Sequence, residues 1–186
     1  MSGGGNDVIF SGSGDDVIYA GDGNDFVYAG SGNDTIYGGD GCDLLKGGSG
    51  NDEIYGGEDN DWIFGQSGDD ILLGGSGNDF IYGGSGNDVL MGGAGHDILL
   101  AGKGNDTATY VLADNEDACD YYNGGRDHDT LVIDLTGADL SSLTISVAAY
   151  IQSIIDLFNN SPEFKFEVQR LSFLLTFQGP LVGFES

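Results

Sequence analysis

From Asp7 onward an aspartate returns every nine residues without a slip: Asp7, Asp16, Asp25, Asp34, Asp43, Asp52, Asp61, Asp70, Asp79, Asp88, Asp97 and Asp106. These acids sit among glycines, and His96, His128, Cys42 and Cys119 are the only histidines and cysteines of the chain. The donor set is therefore almost wholly oxygen, from carboxylates and from backbone carbonyls that glycine leaves uncovered. Hard oxygen donors in a flexible, carbonyl-rich setting suit Ca²⁺ better than Mg²⁺ or a transition metal. Nothing pairs the acids with a nucleophile or a poised base. There is no G-x-S-x-G elbow and no H-E-x-x-H motif, and His96 and His128 are isolated, so no catalytic residue is predicted and the chain is not expected to be an enzyme.

The elements that must position these acids follow from the same period. Residues 2–109 divide into twelve nonapeptides, of which unit nine, Gly74-Gly75-Ser76-Gly77-Asn78-Asp79-Phe80-Ile81-Tyr82, is typical. Each has a six-residue Gly/Asp-rich piece, which reads as a turn, and a three-residue apolar piece, which reads as a short strand. Position eight is apolar throughout, from Ile9, Ile18 and Val27 to Leu90, Leu99 and Ala108, and must point into a shared core. Two units make one coil, with odd units in one parallel sheet and even units in the other. Twelve units give six coils.

The pattern is G-G-x-G-x-D-x-U-x, and over 108 of 186 residues the chain strongly resembles the RTX (repeats-in-toxin, hemolysin-type) calcium-binding repeat proteins. The resemblance implies a mainly β fold: a right-handed parallel β-roll, a β-helix solenoid with two nonapeptides per coil, over residues 2–109. A small α+β capping segment over 110–186 would follow it. It also implies that each calcium lies between one turn and the next on the same side, held by position-six carboxylates and backbone carbonyls. Asp7, Asp25, Asp43, Asp61, Asp79 and Asp97 would line one side, and Asp16, Asp34, Asp52, Asp70, Asp88 and Asp106 the other. The glycines expected to admit the ion are Gly12, Gly14, Gly21, Gly23, Gly30, Gly32, Gly39, Gly41, Gly48, Gly50, Gly75, Gly77, Gly84, Gly86, Gly93 and Gly95. Six turns per side leave five gaps, hence up to about ten ions.

Charge leads to the same expectation independently. Residues 2–109 carry nineteen Asp and Glu against Lys46 and Lys103, a net of −17, within a whole-chain charge of −26. Stacked about 4.8 Å apart, neighbouring carboxylates repel by about 1 kcal/mol in bulk water and about 3–4 kcal/mol at an effective dielectric near 20. Metal binding and folding should then be one event. So acidic a surface argues against direct binding to nucleic acid or anionic membrane. No apolar run is long enough for a transmembrane helix, and no N-terminal signal peptide is evident.

Departures from the repeat are specific. Asp59 replaces the position-four glycine of unit seven and Gln66 the position-two glycine of unit eight. Position three carries no Thr, which disfavours the ice-binding activity of RTX adhesins that present a Thr row. Positions seven and nine face outward. On the odd sheet they form a broad apolar face, Val8/Phe10, Phe26/Tyr28, Leu44/Lys46, Trp62/Phe64, Phe80/Tyr82 and Ile98/Leu100. That face is expected to be covered by the C-terminal segment, a neighbouring module or a second copy, although β-propensity alone accounts for such residues equally well.

Beyond Thr109, residues 124–132 read as a degenerate thirteenth unit after a 14-residue insertion, and Asp127 and Asp129 could close the last calcium site or be solvated turn acids. Strands are predicted at 131–135, 143–145, 164–168 and 171–177. Val147, Tyr150, Ile151, Ile154, Ile155 and Phe158 fall at helical spacing between the second and third of these. The chain is expected to have been cut from a longer protein. Two functional readings follow from the resemblance. One is a structural calcium-responsive module of a large secreted or cell-surface protein of a Gram-negative bacterium, adhesin or layer type. The other is the secretion and folding domain of an extracellular enzyme or pore-forming toxin. Both imply export through type I secretion machinery.

Overall fold

The computed structural model describes residues 3–111, 118 and 120–134. Fifteen strands follow in chain order: β1 (Gly3–Gly4), β2 (Val8–Ser13), β3 (Val17–Asp22), β4 (Phe26–Ser31), β5 (Thr35–Asp40), β6 (Leu44–Ser49), β7 (Glu53–Glu58), β8 (Trp62–Ser67), β9 (Ile71–Ser76), β10 (Phe80–Ser85), β11 (Val89–Ala94), β12 (Ile98–Lys103), β13 (Thr107–Val111), β14 (Tyr121–Arg126) and β15 (Thr130–Asp134). The odd-unit strands form one sheet in the order β14-β12-β10-β8-β6-β4-β2, and the even-unit strands the other, β1-β3-β5-β7-β9-β11-β13-β15. The pairing is parallel throughout, and through β13 each residue partners the one eighteen positions away, as in Ile63↔Ile81 and Ile54↔Leu72. The expected β-solenoid of about six turns is therefore present, and no helix occurs among the described residues.

The reason is visible within a single unit. Side chains alternate across a strand, so positions six, eight and one point inward while seven and nine point out. Position eight builds the core: Val27, Ile36, Leu45, Ile54, Ile63, Leu72, Ile81 and Leu90 are all fully buried. Each such side chain contributes roughly 1.5–3 kcal/mol of burial. The interior column is only one branched side chain deep from each sheet. Its remaining volume is filled by the inward position-six aspartates and by glycine or alanine at position one.

The C-terminal rungs correct one reading of the sequence. The inter-coil offset, 18 residues along the repeats, becomes 23 between Asp97 and Asp120 and between Asp106 and Asp129. The insertion is therefore 23 − 18 = 5 residues, not fourteen. The intervening chain supplies a repeat of its own, with Asp120 at position six and Tyr122 opposite the core residue Leu99. Residues 124–132 are thus the fourteenth unit, and β15 joins the even-unit sheet beside β13. Of the predicted C-terminal strands, the first corresponds to β15. The remaining strands and the helix lie outside the described residues.

On the outer faces, Tyr19, Tyr37 and Tyr55 stack along the even sheet at 4.8 and 4.9 Å. The apolar strip of the odd sheet stays open among the described residues, with Trp62 57% exposed. No described helix is long and apolar enough to cross a membrane.

Candidate metal centre

All twelve predicted aspartates, and Asp129, lie in two inward-facing rows, one along each line of turns. Asp120 extends the odd-unit row, so each row holds seven. Within a row the carboxylates are tied to the backbone. The amide of Asp25 donates to Oδ1 of Asp43 at 2.8 Å, that of Asp43 to Asp61, and that of Asp61 to Asp79. The even row runs likewise from Asp16 through Asp34, Asp52, Asp70 and Asp88 to Asp106, and Asp106 donates to Asp129 at 3.0 Å. From Asp25 in the odd row and Asp34 in the even row onward, one oxygen of each carboxylate is thereby satisfied.

The other oxygen is not. Oδ2 of Asp25, Asp34, Asp43, Asp52, Asp61, Asp70, Asp79, Asp88, Asp97 and Asp106 is buried and has no hydrogen-bond partner. Leaving a charged oxygen buried and unpartnered costs several kcal/mol, so ten of them in one small fold demand either protons or cations. Burial holds Asp43, Asp52, Asp79, Asp88, Asp97 and Asp106 up at about 6, with the carboxylates of neighbouring coils adding to it at all of these but Asp79. The same cause raises Asp61 and Asp70 to about 7, opposed only in part by the backbone hydrogen bond each accepts.

The orphaned oxygens converge with backbone carbonyls. A Cβ placed on Gly56 would strike Oδ2 of Asp61 and lie 2.5 Å from the Gly74 carbonyl oxygen; on Gly74 it would strike Oδ2 of Asp79 and lie 2.5 Å from that of Gly92. Where position one is glycine, the backbone there is therefore approached closely by a carboxylate oxygen, and at Gly56 and Gly74 by a carbonyl oxygen of the next coil as well. Sequence reasoning passed over this position, although its occupants are small throughout: Ser2, Ser11, Ala20, Ala29, Gly38, Gly47, Gly56, Gly65, Gly74, Gly83, Gly92 and Ala101. The sixteen predicted glycines all take a left-handed backbone, with φ between 103° and 133°; those at position two lie near the ends of the strands and those at position four in the turns between them. At Gly39 and Gly41 this left-handed backbone brings the carbonyls of Gly21 and Gly23 against the glycine Cα of the next coil, where no side chain fits. Asp127 sits at position four with φ 83°. It is exposed, and its Oδ2 accepts from the amide of Gly104 at 3.3 Å, so it stands outside the row that holds Asp129.

A second ladder flanks the first and runs the opposite way. At position five, Oδ1 of Asn33 accepts from the amide of Asn51 at 2.8 Å, and Asn51 in turn accepts from Asp69 at 2.9 Å. Asn78 accepts from the amide of His96, which places that histidine in the ladder as a turn residue. Each coil is thus gripped by its predecessor through position five and by its successor through position six. Cys42 enters the ladder as a donor only and carries a free, exposed thiol.

No three His, Cys, Asp or Glu side chains converge on one point among the described residues. A zinc-type site built from side chains alone is therefore not offered; each gap instead combines two carboxylates with carbonyl oxygens, the donor chemistry of a large hard cation. The family description "RTX calcium-binding nonapeptide repeat (4 copies)" matches residues 1–36, 37–72 and 73–108. The chain belongs to this RTX repeat family. RTX repeats bind calcium, and the buried, unpartnered Oδ2 atoms fit that ion. No curated protein matches the chain.

Proposed function

We propose that this RTX roll is a calcium-responsive structural module of a large secreted or cell-surface protein, of adhesin or layer type, in a Gram-negative bacterium. It stays unfolded and export-competent while calcium is scarce, passes through type I secretion machinery in that state, and folds outside the cell. The observation that carries this reading is the pair of rows of buried carboxylate oxygens without partners. Such rows cannot close at neutral pH unless a cation enters, so ion and fold are linked. The sites reside at Asp7, Asp25, Asp43, Asp61, Asp79, Asp97 and Asp120 on one side, and at Asp16, Asp34, Asp52, Asp70, Asp88, Asp106 and Asp129 on the other. Twelve inter-coil links join them, which raises the expected capacity from about ten ions to about twelve.

Extracellular modules work at affinities of about 10⁻⁴–10⁻³ M, well above cytosolic calcium and within reach of the external concentration. A calcium titration followed by far-ultraviolet circular dichroism should show a cooperative rise of β-signal in that range, reversed by chelator. Asp52→Asn with Asp70→Asn should move the midpoint several-fold higher. An ordered roll persisting in excess chelator at neutral pH would refute the proposal.

A further inference from the structure

The odd-unit sheet turns a narrow apolar strip outward. Phe10 packs on Phe26 with ring centroids 5.6 Å apart, and Phe80 packs on Phe64 and Trp62 at 5.8 and 5.3 Å. Lys46 joins the two groups, its Nζ 5.7 Å from the Phe26 ring and 5.6 Å from that of Phe64. It is the one cation in the outward rows of β2 to β12, and among the described residues no carboxylate pairs with it. Phe10 and Trp62 remain 68% and 57% exposed.

We infer that the occupant of this strip is the chain's own segment 147–158, laid along the roll axis with Asp156 meeting Lys46. Size argues against a second copy. Six rungs span about 24 Å and the outward rows about 10 Å, roughly 250 Å² per copy and about 500 Å² for two, well below the ~1,200 Å² of a stable interface. A tethered segment needs far less area, because the linker holds it at an effective concentration of about millimolar.

Length fits as well. As the helix that their spacing predicts, the twelve residues 147–158 would measure about 18 Å, shorter than the strip, with Val147, Tyr150, Ile151, Ile154, Ile155 and Phe158 at the spacing of one apolar side. The described chain ends at Asp134 on β15, at the same end of the roll as β14, the last strand of the odd sheet. From there the residues before Val147 can span up to about 40 Å. Charge then selects the partner and its position. Asp156 is the only charged residue between Asp139 and Glu163, so the segment meets little repulsion from a chain of net charge −26. Its single anion faces a strip with a single cation.

Trp62 is the only tryptophan, so its emission reports on this strip alone. In the calcium-loaded 186-residue chain we expect blue-shifted emission and acrylamide quenching several-fold weaker than for free tryptophan, both unchanged on dilution. Lys46→Asp or Asp156→Lys should raise the quenching, and the two together should restore the wild-type value. Full exposure of Trp62 in the wild type would overturn the inference. Shielding that disappears on dilution from a species of dimer mass, or a double variant no better than the singles, would do the same. If a single variant fails to gain β-signal with calcium, the wild-type quenching and its dilution series decide the matter.

Discussion

A buried aspartate with one oxygen tied to a backbone amide and the other untied is the unit from which this protein is built. Its behaviour toward protons follows. Asp61 and Asp70 lie near 7 and their neighbours near 6 in the folded chain, against 3.8 for an unperturbed carboxyl. A group whose folded value is the higher binds its proton more tightly when folded. Its stabilisation is therefore fully present below 3.8 and lost as pH rises through 6 to 7. In chelator, lowering the pH from 7.5 toward 4.5 should thus raise β-signal, while with calcium the same change should raise the ion concentration at the midpoint. Circular dichroism across a pH and calcium grid reads both. Backbone strain gives a second expectation at this scale. Gln66 holds φ 84° where most units place glycine, and Gln66→Gly should stabilise the calcium-loaded roll by about 1 kcal/mol in thermal melts.

At the level of the strand and turn, the core is a single file of branched side chains, so each one matters. Ile54 is fully buried between Ile36 and Leu72, and Ile54→Ala should cost about 2–5 kcal/mol, seen as a higher calcium midpoint and a lower melting temperature. Much of this level was legible in the sequence, because a period of nine with inward residues at six and eight admits only one way to stack parallel strands. Two features escaped. Asp120 follows Glu116 and Ala118 where the repeat wants glycine, so the glycine pattern hid it. The nine-residue interval from Asp120 to Asp129 was the signal that could have exposed it. The importance of position one was hidden by the strand's geometry: glycine there reads as turn composition, whereas its purpose is to leave room for a carboxylate oxygen and, at Gly56 and Gly74, a carbonyl of the next coil. The position-five ladder had no signal beyond the frequency of Asn and Asp, since an exposed side chain accepting from the next coil leaves no trace in hydrophobic period.

For the molecule as a whole, the two opposed ladders make neighbouring coils depend on one another, as in other solenoids where stability is a sum of repeat and interface terms. The rung spacing also carries a mechanical consequence. Residues 3–134 drawn out as a chain would reach about 450 Å, whereas the same residues wound at one rung per two repeats occupy about 35 Å along the axis. A relaxed unfolded chain of this length holds its ends only roughly 60 Å apart, so under the proposed linkage of ion and fold whatever is attached at either end is drawn in by about twofold as the ion arrives, and the slack left in the chain is set by salt in the surrounding water.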